Sequence, residues 1–233
     1  MRVLAITAHP DDAEIYCGGT LAKCVKRGDT VIVCHASSGS LGHVVIPPDE
    51  LRVIRANEAK KSGALAGIEV LCAGFDDLEI EDTKVNRDRI AEVIRYANPD
   101  LIITHSPDDY MPDHNVVSKL VFDASFSATL PNYPYKEKTV AKLVPIYYME
   151  TAGGMNFLPT EYVDITNEIE LKSEMLECHE SQVVWLRDHD GQDVVEMMKI
   201  ISAFRGMQCG VKYAEGFKPC LVYLKGTPTR LLP

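Results

Sequence analysis

Short apolar runs alternate along the chain with longer segments whose apolar positions recur at helical spacing. The short runs predict strands and the longer segments predict helices. Predicted strands occupy 3–7, 30–37, 69–75, 101–106, 143–150 and 219–226. Predicted helices occupy 14–27, 50–66, 87–97, 114–128, 167–182 and 194–210. Gly28 and Gly67 support the ends of the first two helices, because glycine commonly follows the last helical residue.

The alternation of strands and helices is typical of an α/β protein with a mostly parallel sheet covered by helices on both faces. The chain has 233 residues, of which 46% are hydrophobic, so it is long enough to bury one large core. No repeat, low-complexity segment or linker interrupts the pattern. We therefore expect residues 1–233 to form a single domain.

The charge and hydropathy of the chain disfavour two classes of binding partner, nucleic acids and membranes. A net charge of −10 disfavours nucleic acid and anionic membrane surfaces, since both attract basic proteins. No apolar run is long enough to cross a bilayer. A small-molecule substrate is the partner that fits this composition best.

The cysteines and the N-terminus indicate the cellular compartment. The seven cysteines are scattered without a C-x-x-C pair, and an odd total suits reduced thiols better than a disulfide framework. Met1 leads directly into a predicted strand rather than into a secretory signal. We expect a cytoplasmic protein.

Two clusters of acids and histidines follow strands of the predicted sheet. The first, "HPDDAE" at 9–14, follows the first strand, and the second, "HSPDDYMPDH" at 105–114, includes the end of the fourth. In open α/β sheets, ligands bind beyond the carboxyl ends of the strands. The two clusters are therefore predicted to meet at one edge of the sheet.

A helix start explains part of the first cluster. Pro10 suits the first turn of a helix, and Asp11, Asp12 and Glu14 are favourable near the positive end of the helix dipole. This interpretation leaves His9 without a role, because an imidazole before a helix gains nothing from that dipole.

A metal site explains the histidine as well. Imidazoles and a carboxylate are ligands of catalytic zinc, which keeps one position open for water. A further carboxylate beside the metal can then accept a proton from that water. Spacing alone does not decide which acid of the first cluster is a ligand, nor does it choose between His105 and His114.

The motifs resemble those of a known family. "AHPDDAEIYCGGT" at 8–20 and "DDYMPDH" at 108–114 are similar to the two signatures of the LmbE-like, or PIG-L, metal-dependent N-acetyl deacetylases. The likeness extends to 55–68, to "HESQ" at 179–182 and to "YAEGF" at 213–217. This resemblance implies a single-domain Rossmann-like fold, bound Zn²⁺ and a homo-oligomer.

The resemblance also assigns roles to individual residues. His9, Asp12 and His114 match the zinc ligands, and Asp11 matches the general base. Arg55 matches an arginine of the substrate pocket, where a guanidinium can hold sugar oxygens.

Three further roles concern the second cluster. Asp109 is expected to contact the substrate, and so is His105. Asp113 is expected to orient an imidazole.

One position departs from the family pattern. Met111 stands where the family commonly has a histidine that stabilises the oxyanion or protonates the leaving amine, and a thioether does neither at pH 7. His105, Asp109, Tyr110 and His179 are candidates to replace it.

The implied function is zinc-dependent removal of an N-acetyl group from an amino sugar such as an N-acetylglucosamine conjugate. The alternative is a zinc-dependent hydratase of an unsaturated dicarboxylic acid, because some family members with an altered second motif have that activity. A binding protein without catalysis is disfavoured by the intact set of ligands and base.

Overall fold

One seven-stranded sheet, with α-helices between its strands, organises the chain. The computed structural model describes residues 1–233. The strands are β1 (Arg2–Thr7), β2 (Thr30–Ser37), β3 (Glu69–Phe75), β4 (Leu101–Thr104), β5 (Ile146–Met149), β6 (Glu161–Asp164) and β7 (Ala214–Pro219). The α-helices are α1 (Asp12–Lys26), α2 (Pro48–Ala66), α3 (Lys84–Ala97), α4 (Pro112–Ser127), α5 (Ile169–Glu177), α6 (Glu180–Asp190) and α7 (Val194–Cys209).

The strand order is β3-β2-β1-β4-β5-β7-β6. The first five strands in this order are parallel, and β7 pairs antiparallel with both β5 and β6. An order that begins 3-2-1-4-5 is that of a Rossmann-like sheet. The predicted fold class, a mostly parallel sheet covered by helices, is confirmed.

Alternate side chains of β1 enter two different cores. Val3 and Ala5 pack with residues of α1, α5 and α7 on one face. Leu4 and Ile6 pack with residues of α3 and α4 on the other. A strand covered on both faces must be apolar at every position, which accounts for the unbroken apolar runs in the sequence.

The position of the site follows from the reversal of strand order at β1. Val3 pairs with Leu101 and Ile6 with Thr104, so β1 and β4 end side by side. The chain leaves β1 for α1 and leaves β4 for α4, and these helices cover opposite faces of the sheet. A crevice therefore opens beyond the two strand ends, between the two acid and histidine clusters.

The C-terminal part of the chain differs from the sequence-based prediction. The last strand is Ala214–Pro219 rather than 219–226, and the apolar residues at 221–224 are exposed in turns. The segment 214–219 is selected because it pairs with β5 and β6 and buries Phe217. Strand β6 was not predicted.

The predicted helix at 167–182 is two helices. Helix α5 ends at Glu177 and α6 begins at Glu180. Between them the backbone of His179 leaves the helical region, and its side chain is completely buried. The break turns the chain so that α6 runs along the edge of the crevice.

A buried ion pair joins α5 to the last strand, and its carboxylate also binds the first helix. Lys172 Nζ lies 2.7 Å from Glu215 Oε1, and both side chains are almost completely buried. The Glu215 carboxylate also accepts hydrogen bonds from the backbone N–H groups of Gly19 and Thr20 in α1. The pair therefore fixes α1, which carries part of the site, to the antiparallel end of the sheet.

We expect Lys172→Met to lower the free energy of unfolding by about 3–5 kcal/mol, because it leaves a buried carboxylate without its counter-charge. Urea denaturation would measure the change. The matched control is Lys119→Met, which removes an exposed ion pair with Asp82 and Asp123 and is expected to cost less than about 1 kcal/mol. Equal stability of the two variants would contradict a structural role for the buried pair.

Candidate metal centre and cleft

The turn between β1 and α1 has an unusual backbone. Asp11 has a φ of 102°, a region that non-glycine residues rarely occupy. Asp12 follows as the first residue of α1, and its carboxylate accepts the backbone N–H of His9 at 2.7 Å. Backbone strain of this kind is typical of functional sites, where surrounding contacts maintain it. Here the Asp11 carboxylate contacts Arg55, whereas the Asp12 carboxylate contacts His9 and His114.

His9, Asp12 and His114 form a compact cluster at the strand ends. Asp12 Oδ1 lies 3.3 Å from His114 Nε2, and Asp12 Oδ2 lies 3.4 Å from His9 Nδ1. One ligand atom from each residue lies within 4.8 Å of the others. Two imidazoles and a carboxylate are a donor set that suits zinc, so these residues fit the expected metal.

A carboxylate orients each of the two imidazoles on the side away from Asp12. Asp113 Oδ2 lies 3.1 Å from His9 Nε2, and Asp109 Oδ2 lies 3.0 Å from His114 Nδ1. Such carboxylates fix the orientation of a metal-binding imidazole and raise its basicity. Burial alone would lower the pKa of His114, but Asp12 and Asp109 raise it to about 9.

The position of Asp109 argues against its predicted contact with the substrate. Its side chain is fully buried, and besides His114 it accepts backbone N–H groups from Met111 at 3.1 Å and Ala152 at 3.2 Å. These donors occupy the carboxylate. Asp109 therefore orients His114 and joins the loop after β4 to the loop after β5.

His105 also lies outside the cleft. Its ring is completely buried and stacks on His114 with the ring centroids 3.8 Å apart. The backbone N–H of Ala8 donates to His105 Nε2 at 2.9 Å, and Nδ1 has no partner. Burial lowers the pKa of His105 to about 4. The ring is thus a neutral support behind His114, and this placement argues against the predicted substrate contact.

Asp11 lies beside the cluster and pairs with Arg55. Arg55 Nη2 is 3.0 Å from Asp11 Oδ2, and the same guanidinium donates to the carbonyl oxygens of Gly39 and Pro10. Arg55 is buried, although it belongs to α2. Burial raises the pKa of Asp11, and the Arg55 charge opposes that rise. Arg55 therefore holds the carboxylate in place at the cleft wall.

The cluster opens into a cleft of about 390 Å³. Its base contains the metal cluster, Asp11 and Tyr16. Apolar side chains line much of the remaining wall: Leu41, Leu78, Tyr110, Met111 and Leu186. Arg55 is the one cationic side chain that lines it.

The sequence argument missed two residues of the cleft. Asp77 follows β3, and its carboxylate lies 3.3 Å from His9 Nε2 and accepts the backbone N–H of Leu41 at 2.8 Å. Because Asp77 lies just beyond the end of a parallel strand, the sequence could have indicated it as a residue of the site. Tyr16 is four residues after Asp12, so both lie on one face of α1, which was a second signal.

The sequence also matches characterised proteins. The profile of the PIG-L family, described as GlcNAc-PI de-N-acetylase, matches residues 4–125. That segment is more than half of the chain and contains both clusters. The chain belongs to the PIG-L family.

Relatives of this PIG-L family protein include two kinds of enzyme. Diacetylchitobiose deacetylase from Thermococcus kodakarensis is 30% identical over 229 residues, covering 93% of this chain and 82% of that protein. 4-Oxalmesaconate hydratase from Pseudomonas putida is 26% identical over 189 residues, covering 77% and 73%. The solved structure of N,N'-diacetylchitobiose deacetylase from Pyrococcus horikoshii has a TM-score of 0.80 at 26% identity, covering 93% and 82%.

We expect alanine at His9, Asp12 or His114 to weaken zinc binding by at least roughly 100-fold, since loss of a mere supporting partner already costs roughly 10- to 100-fold. Competition with a chelator would measure affinity, and circular dichroism would show that the fold survives. His43→Ala is the control, because His43 packs against Trp185 instead. Wild-type affinity in all three variants would remove the metal from this cluster.

Proposed function

We propose that this PIG-L family protein is a zinc-dependent hydrolase that removes an N-acetyl group from an amino sugar, such as an N-acetylglucosamine conjugate. The observation that carries the proposal is the partly buried Asp11 carboxylate, held by Arg55 beside the cluster of His9, Asp12 and His114. A base next to a metal is the arrangement that amide hydrolysis requires. The similarity to a diacetylchitobiose deacetylase supports this substrate class.

His9, Asp12 and His114 would hold the zinc, which when bound polarises a carbonyl and lowers the pKa of water. Asp11 accepts a proton as the oxygen of water adds to the amide carbon. The C–N bond then breaks, and Asp11 passes the proton to the departing amine. The products are acetate and the free amino sugar.

The contact with Arg55 and the burial of Asp11 both suit this carboxylate to accept a proton from water and then to donate it to the amine. The guanidinium fixes one carboxylate oxygen, so the other is free to face the cleft. Burial raises the pKa of Asp11, which strengthens it as a base and makes its protonated form available as the acid.

Hydration of a dicarboxylic acid is the second candidate, supported by the similarity to 4-oxalmesaconate hydratase. The similarity favours the first candidate, because the deacetylase matches at higher identity and over more of this chain than the hydratase does.

We expect the zinc-loaded protein to release acetate from an N-acetylglucosamine glycoside and not to add water to an unsaturated dicarboxylate. Mass spectrometry separates the two reactions. Asp11→Asn is expected to keep zinc and to reduce turnover by roughly 10²- to 10⁴-fold, the usual cost of a lost general base. Hydration without acetate release by the wild type would overturn the proposal.

The cellular location and the oligomeric state of the protein remain predictions. None of the helices combines the length and apolar character needed to cross a membrane. All seven cysteines are unpaired, which supports a cytoplasmic location that cell fractionation would check.

Self-association is the second of these expectations. Helix α7 carries exposed apolar residues at the spacing by which helices pair: Met197, Ile200, Phe204 and Met207. This stripe supports the homo-oligomer. We expect Ile200→Glu to lower the molar mass measured by light scattering, whereas Val85→Glu, at an exposed position of α3, leaves it unchanged. A monomeric wild type would contradict the expectation.

A further inference from the structure

The proposed reaction needs a hydrogen-bond donor that Met111 does not provide. Negative charge develops on the amide oxygen as water adds, and preorganised donors at that oxygen are a large part of catalysis. His105 and His179 are completely buried and do not line the cleft, and the Asp109 carboxylate is occupied by its own donors. Tyr110 is 82% exposed. None of the replacements expected from the sequence presents a free donor to the cleft from a buried position.

Tyr16 occupies the required place. It projects from α1 one turn after Asp12, lines the base of the cleft and is 9% exposed. Its ring stands edge-on to His114 and His105, with centroids 6.0 Å from each and interplanar angles of 82° and 75°. The side chain is therefore packed against a metal ligand and against the ring that supports this ligand.

The hydroxyl of Tyr16 has no partner within the protein. It forms no hydrogen bond in the structure. It is accessible to solvent, because the fully buried polar atoms without a partner do not include it. Since Tyr16 lines the cleft, the hydroxyl faces the cleft. A hydroxyl that is open to the cleft bonds water in the free protein and is available to a substrate oxygen that displaces this water. Packing alone would be served by phenylalanine.

Two buried donors of the cleft also lack partners: the side-chain nitrogen of Gln182 and Nε of Arg55. The Gln182 amide lies against Gly42 and next to Arg55, and Arg55 pairs with Asp11. Both donors thus belong to the Asp11 side of the cleft, whereas Tyr16 contacts a metal ligand.

We propose that the Tyr16 hydroxyl donates a hydrogen bond to the amide oxygen while negative charge develops there, and so supplies the donor that Met111 lacks. This inference rests on the proposed deacetylation. The phenol keeps its proton throughout. The only proton transfers are those of Asp11, so the balance of the reaction is unchanged.

Tyr16→Phe tests the proposal because it removes one oxygen and keeps the ring that packs on His114 and His105. We expect zinc content and melting temperature to stay at wild-type values. We expect kcat to fall by roughly 10²- to 10³-fold with little change in KM, since the hydrogen bond strengthens in the transition state. The matched control is Tyr223→Phe, which removes an exposed hydroxyl outside the cleft and is expected to leave kcat unchanged.

A binding measurement tests the Tyr16 hydrogen bond independently of deacetylase activity. Methylphosphonate, a tetrahedral anion, and acetate, a planar one, are titrated into the zinc-loaded wild type and Tyr16→Phe. We expect the variant to bind methylphosphonate about tenfold more weakly, the effect of one lost hydrogen bond, and to bind acetate with a smaller loss.

The kinetic and binding measurements together test the deacetylase function and the role of Tyr16 separately. If the wild type hydrolyses no N-acetyl sugar but Tyr16→Phe still loses methylphosphonate affinity, the deacetylase function fails and the placement of the donor is supported. Unchanged methylphosphonate affinity overturns the proposal, whether or not kcat falls. In an active enzyme, an unchanged kcat overturns it as well.

Discussion

The buried carboxylate of Asp12 is the interaction on which the rest of the site depends. It faces His9 and His114 across 3.3–3.4 Å, accepts the backbone N–H of His9 and lies 3.3 Å from His105. Burial alone would raise the pKa of Asp12, but the charge of His114 lowers it well below its usual range. One ionised group therefore holds together the loops that follow β1 and β4.

The surrounding carboxylates extend this connection to the walls of the cleft. Each one touches an imidazole of the site and also accepts a backbone N–H from a different loop. Asp77 accepts the N–H of Leu41, Asp113 that of Leu78 and Asp109 that of Ala152. The orientation of the His9 and His114 rings is thus coupled to the loops that line the cleft, because each of these carboxylates contacts both a ring and a loop.

Arg55 connects the loop after β2 to the Asp11 carboxylate. Gly39, with a φ of 62°, folds this loop against the guanidinium, and a Cβ at this position would clash with Arg55 Nη1. Glycine is therefore required for both the backbone conformation and the close approach. The loop encloses Arg55, and Arg55 in turn fixes Asp11.

The sequence by itself determined the parallel core of the fold and the meeting of two clusters of acids and histidines at its edge. Apolar runs identify strands that are buried on both faces, and acids and histidines beyond such strands meet because parallel strands end at one edge. It did not determine the surroundings of Asp109, His105 and Tyr16, nor the position of the last strand. Those depend on which groups lie within hydrogen-bond distance or find a pairing partner, and residues far apart in the chain supply these neighbours. Only the tertiary structure decides whether a carboxylate faces a ligand or a backbone N–H.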